Sequence, residues 1–168
     1  MLGGFLLMRI CENIKPMKYI RDGRAPIPTS EKVSRTMSAI RAKNTKPELL
    51  LRKMLLSVGL NKYRLHPKNI PGRPDITFVK KKVAIFVHGC FWHGCPFCKP
   101  KLPKTHRVFW RKKIEMNKIR DARKNRELKQ GGWRSLTVWT CRLKTERGRS
   151  GVIQRINTSL EGVSMEPR

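Results

Sequence analysis

Acidic residues are scarce in this chain: 11 Asp and Glu stand against 39 Lys and Arg, a formal net charge of +28 over 168 residues. Such a chain repels itself unless a polyanion neutralises it, so nucleic acid is the first partner to consider. Long apolar runs are missing as well. No stretch approaches the roughly 18 apolar residues of a spanning helix, and the basic residues are spread along the chain instead of forming one juxtamembrane cluster. No membrane partner is expected. The N-terminal "MLGGFLLMRI" has a short apolar run with no positive residue before it, which falls short of a secretory signal, and a cytoplasmic location is expected. Cysteines number five, an odd count, in a chain read as cytosolic. There, thiols serve metal binding or catalysis before disulfides.

The length allows one domain with a single core. Residues 1–30 lack periodicity and end in "GRAPIPTS", a linker followed by a helix cap. They read as a poorly ordered N-terminal extension, in which Met8 and Met17 offer later starts. A short helix is predicted from Ser30 to Arg41. The clearest helix is "NTKPELLLRKMLLSVGL", where Thr45 and Glu48 form a capping box, Pro47 sits in the first turn and Gly59 is the stop. Short β-like runs follow at "YRLH", "DITFV" and "VAIFV", the last two joined by "KKK" as a tight hairpin. "VAIFV" is apolar at every position and predicts a central strand. A long basic helix, "HRVFWRKKIEMNKIRDARKNRELKQ", ends at Gly131 and Gly132, and "WRSLTVW" is a further strand. This order predicts an α/β layer fold with a mixed sheet, a domain over 31–147, and a C-terminal tail over 148–168 that begins as a weak helix.

The stretch "HGCFWHGCPFC", residues 88–98, carries the densest chemistry. Cys95 and Cys98 alone form a C-x-x-C pair that suits a thiol-disulfide oxidoreductase. Cys90 just upstream and Cys141 after the last strand favour tetrahedral zinc with four thiolate ligands. Cys11 is left over. Among the few carboxylates, Asp75 follows the turn "PGRP" at the edge of a strand, and Asp121 shares a helical face with Trp110, Ile114, Asn117 and Leu128. An inward carboxylate requires a partner. Beside a phosphate, a carboxylate is costly unless a divalent cation sits between them, so Asp75 suits magnesium-dependent phosphodiester cleavage. His93 is the favoured general base over His88. His88 has a plain alternative role in the core, and His93 one as a further zinc ligand.

The segments "SRTMSAIRAKNTKPE", "PGRPDI", "VAIFVHGCFWHG", "FWRKKIEMNKIRD" and "GWRSLTVWTC" together resemble the very-short-patch-repair (Vsr) DNA mismatch endonucleases over residues 34–143. The resemblance implies a restriction-endonuclease-like fold, with a central mixed sheet flanked by helices and a structural zinc. It implies nicking of one strand of double-stranded DNA at a T:G mismatch left by deamination of 5-methylcytosine. Asp75 is then the magnesium-binding aspartate, His93 the catalytic histidine, and Glu48, His88 and Asp121 supporting residues. Met37, Phe91 and Trp92 match residues that wedge into the base stack. A monomer, a prokaryotic nucleoid setting and a MutL-type repair partner are implied too. Two positions depart from the family pattern. Val87 stands where a relative has a metal-binding threonine, and can supply only its backbone carbonyl. Cys95 stands where some relatives use histidine, a change that zinc accepts. A zinc-containing nucleic-acid-binding protein without catalysis is the alternative.

Overall fold

The computed structural model describes residues 30–38 and 43–162. Cys11 and the expected extension up to residue 29 lie outside the described residues, as does the side chain of Met37. In chain order the elements are α1 (Glu31–Ser38), α2 (Lys46–Ser57), β1 (Arg64–Leu65), β2 (Ile76–Phe78), β3 (Val83–His88), α3 (Arg107–Gln130), β4 (Arg134–Trp139) and α4 (Glu146–Glu161). Short 3₁₀ turns at Val79–Lys81 and Thr140–Leu143 follow β2 and β4.

The four strands lie side by side in the order β1-β2-β3-β4. β2 runs antiparallel to both β1 and β3, and β4 runs parallel to β3. A parallel pair needs a crossover, which the segment containing α3 provides. The mixed α/β architecture expected from the sequence is therefore present. β3 is buried on both faces, which is why its sequence does not alternate. Val83 and Ile85 face one core with Leu51 and Leu55 of α2, while Ala84 and Phe86 face a second with Leu128 of α3. The hairpin is made differently from the tight "KKK" turn expected: Val79–Lys81 form the 3₁₀ turn and Lys82 takes φ +46 to re-enter β3.

The stop of α2 matches the expectation and its start differs in detail. Gly59 does stop α2, at φ +77 just past the C-cap. Thr45, however, makes no side-chain cap: its hydroxyl donates to Glu48 Oε1 at 2.8 Å, and Glu48 Oε2 accepts from the Asn44 N–H at 3.0 Å. The segment from 148 onward is also more than a tail. Val152, Ile156 and Leu160 recur at helical spacing on α4 and are buried in the larger core beside α2 and β4. Charged neighbours on the other face of α4 diluted that signal in the sequence. Among the described residues no helix is long and apolar enough to cross a membrane.

The topology gathers four chain segments at one end of the sheet. β1 is parallel in direction to β3 through β2, so His66 after β1, Asp75 before β2, Val87–His93 closing β3 and Cys141 after β4 all lie at the same end. Ile156 is 1 % exposed, and Ile156→Ala should lower unfolding free energy by about 2–5 kcal/mol in a urea titration. A loss under about 0.5 kcal/mol, the size expected for a surface change, would show α4 to be peripheral.

Candidate active site

Three groups of ligand-type side chains converge at this end of the sheet. In the first, Glu48, His66 and Asp75 bring their ligand atoms within 4.8 Å of one another. Glu48 arrives from the first turn of α2, where the two hydrogen bonds that close its helix start also aim its carboxylate inward. Asp75 Oδ2 accepts from the Val87 N–H at 2.7 Å, so β3 itself holds this carboxylate. Burial, and then the neighbouring Glu48 charge, push the Asp75 carboxyl above its usual value, while the Val87 N–H and the nearby His66 and Arg52 pull the other way.

The second group is His88, His93 and Asp121. Asp121 projects from α3 and meets His93 Nδ1 at 2.5 Å. A carboxylate accepts and cannot donate, so Nδ1 carries the proton, and in the neutral ring Nε2 keeps its lone pair. The inward partner expected for Asp121 is thus His93. His88 stacks on His93, ring centroids 3.9 Å apart and 12° from coplanar. His93 therefore sits with Asp121 and outside the cysteine group, which answers whether it is a further zinc ligand. Asn117 Nδ2 donates to the Trp92 carbonyl at 2.7 Å and is itself met by Arg120, which ties the His93 loop to α3.

Lys124 joins the two groups, since its ammonium lies within electrostatic reach of both Asp121 and Asp75. Burial, then Arg120, lowers its pKa. Its stem packs over Gly72, where an added Cβ would stand 3.1–3.2 Å from three Lys124 carbons and where φ is +77. Only glycine suits that turn of "PGRPD".

The third group is Cys90, Cys95, Cys98 and Cys141, four free thiols with all sulfurs within 4.8 Å. Cys95 Sγ and Cys141 Sγ are 3.7 Å apart. Four sulfurs at about 2.3 Å from one tetrahedral zinc stand about 3.8 Å apart, so the donor set fits that ion. Cys141 is pushed up to about 12 by burial and by Cys90 and Cys95; Cys90 falls to about 7, where burial is outweighed by hydrogen bonds led by Thr140. Phe91 and Trp92 lie between Cys90 and His93. Both rings meet Trp110 of α3 edge-on, at centroid distances of 5.2 and 5.5 Å, and each remains partly exposed.

The sequence pattern alone gives His66, Arg52 and Lys124 no role. His66 had a signal available, since "YRLH" pairs with the strand that Asp75 opens; Lys124 had none, because its site is made by Gly72 across the fold. For His88, burial first and then the His93 charge push the pKa down to about 4, against the pull of Asp121. The unfolded chain then binds more protons between that value and about 6.5. This contribution to stability is full above about pH 6.5 and is lost as pH falls toward 4. An NMR titration should find the His88 ring neutral down to about pH 5; a midpoint near 6.5 would contradict the burial argument.

The family model described as DNA mismatch endonuclease Vsr matches residues 25–99. Among relatives, the Type II nicking enzyme V.XorIIP of Xanthomonas oryzae pv. oryzae is 47% identical over 107 residues, covering 64% of this chain and 78% of the relative. The Type II nicking enzyme V.NmeAIP of Neisseria meningitidis serogroup A is 42% identical over 118 residues, covering 70% of this chain and 84% of the relative. The DNA mismatch endonuclease Vsr of Escherichia coli K12 is 40% identical over 111 residues, covering 66% of this chain and 70% of the relative. Identity of this extent, over more than two-thirds of each relative, places the chain in the Vsr family of DNA mismatch endonucleases.

Proposed function

We propose that this protein nicks one strand of duplex DNA at T:G mismatches by magnesium-dependent phosphodiester hydrolysis, on a restriction-endonuclease-like fold, and so initiates very short patch repair. The observation that carries the reading is the placement of Asp75 and the Asp121–His93 pair at the same end of the sheet in a chain with net charge +28. Phosphate contacts from such a chain hold a duplex, and buried carboxylates placed beside a phosphate call for a divalent cation between them. The ion, when bound, supplies charge neutralisation and polarises the scissile phosphate.

Asp75 would hold that ion through Oδ1, because Oδ2 is engaged by the Val87 N–H. In a strand, the N–H and C=O of one residue point to the same edge. The Val87 carbonyl therefore faces the edge where Asp75 lies, and a valine serves there as well as a threonine would through its backbone. Glu48 adds carboxylate charge beside Asp75. His93 acts as general base: Asp121 fixes the proton on Nδ1, and Nε2 takes the proton of the water that attacks phosphorus as the bond to the leaving oxygen breaks. His88, neutral and stacked on it, holds the ring plane without adding charge.

Zinc at Cys90, Cys95, Cys98 and Cys141 would brace the loop between β3 and α3 against the end of β4. Phe91 and Trp92, carried on that loop, are the wedge at the mismatch, with Met37 from α1 as its counterpart. A mismatched step costs less to unstack, so an inserted wedge converts weak pairing into selectivity.

Asp75→Asn should reduce nicking of a T:G duplex by about a hundredfold or more with magnesium present, while duplex binding changes little. Unchanged nicking would remove Asp75 from the mechanism, and binding without any nicking by the parent protein would favour the non-catalytic alternative. Metal analysis should find about one zinc per chain, lost in Cys141→Ser. A zinc-free parent protein with a Cys95–Cys98 disulfide would instead support the redox reading.

A further inference from the structure

The group around Asp75 contains an imidazole that the reading above leaves unused. His66 follows β1 directly, and its N–H donates to the Asp75 carbonyl at 3.4 Å, so the strand ladder sets its ring opposite that carboxylate. His66 Nδ1 is 3.7 Å from Asp75 Oδ1, and Nε2 is 3.6 Å from Glu48 Oε2. Neither separation is a hydrogen bond. The Asp75 separation leaves room for an ion between the two atoms: ligands about 2.1 Å from one octahedral metal lie about 3.0 Å apart at a right angle and about 4.2 Å apart when opposed, and the observed spacing falls between the two. The ring is largely enclosed, with 15 % of its side chain exposed, so it is held at this spacing and does not reach it by chance rotation in solvent.

The two edges of the ring are not equivalent. On the Glu48 edge a cation is already present, since Arg52 Nη2 lies 3.3 Å from His66 Nε2 and 3.6 Å from Glu48 Oε2. The Asp75 edge is where a second cation fits. We infer that His66 is a nitrogen ligand, through Nδ1, to the divalent ion that Asp75 holds, with Nε2–H turned to Glu48. The inference rests on the metal reading of Asp75 given under the proposed function.

A carboxylate that accepts the second ring proton of a metal-bound histidine fixes its tautomer and raises its basicity. Glu48 has that position, and Thr45 and Asn44 hold it there. The Arg52 contact needs a lone pair on Nε2, so ion binding transfers the ring proton from Nδ1 to Nε2 and turns the guanidinium onto Glu48. Arg52 Nε is buried with no hydrogen-bond partner among the described residues, so no bond at that nitrogen opposes the turn. An imidazole also changes the preferred ion. Magnesium favours all-oxygen surroundings, whereas manganese and cobalt accept nitrogen readily, so this site should hold Mn²⁺ more tightly than Mg²⁺.

The test is pulsed electron paramagnetic resonance on the zinc-replete full chain loaded with one equivalent of Mn²⁺, measured alone and with a T:G duplex. Nitrogen coupling from a directly bound imidazole is expected. His66→Asp, which keeps an oxygen donor, should retain Mn²⁺ while losing the coupling; His66→Ala should weaken Mn²⁺ binding by at least about tenfold in calorimetry, with Mg²⁺ less affected. Absence of coupling in the parent protein under both conditions overturns the inference. So does coupling that persists in both variants, which would assign it to His88 or His93. The signal is read without turnover, so a parent protein that shows it yet never nicks mismatched DNA would sink the proposed function and leave the ligand assignment standing.

Discussion

Strand β3 is hydrogen-bonded along both edges, antiparallel to β2 and parallel to β4, and this ladder determines where four separate chain segments end. A strand in that position must be apolar on both faces, which Val83, Ala84, Ile85 and Phe86 satisfy. Once its register is set, the last residues of β3 have no partner from β2. The Val87 N–H is spent on the Asp75 carboxylate instead of on a backbone carbonyl. One hydrogen bond thereby ties the edge of the sheet to the metal-type group, and the next residue, His88, begins the histidine group. Slipping β3 by one residue would turn His88 to the opposite core and leave Asp75 without its donor.

Charge economy explains the remaining arrangement. A chain of net +28 has few carboxylates to place, and three of them, Glu48, Asp75 and Asp121, lie in two groups at one end of the sheet. Each has a basic partner close by, His66 and Arg52 on one side and His93 on the other, with Lys124 in reach of both groups. Burial strengthens these interactions because little water screens them. It also keeps His88 uncharged where it stacks on His93.

Much of the site was legible in the residue pattern. The Cys90–Cys98 run with distant Cys141 pointed to four converging thiols, and they converge. The helical spacing of Trp110, Asn117 and Leu128 pointed Asp121 inward, and it is inward, on His93. Less legible were the features whose cause is tertiary. α4 reads as a weak helix because Val152, Ile156 and Leu160 are diluted by charged neighbours, and only α2 and β4 turn that stripe into core. His66 follows a strand of two residues, too short to carry a periodicity, and gains its place from the register Leu65↔Ile76.

By itself, the sequence determined composition-level and local matters: a polyanion partner, helix stops at Gly59 and Gly131–Gly132, a central β3, and the chemical types available for a site. These depend on residue chemistry and near neighbours, which a linear pattern contains. The tertiary structure decided which atoms meet. That Asp75 is oriented by Val87 N–H, that His93 faces Asp121 and not the cysteines, and that His66 joins Glu48 and Asp75 all follow from sheet order and register. Those are relations between segments far apart in the chain, and only packing of the two cores on either face of the sheet makes them definite.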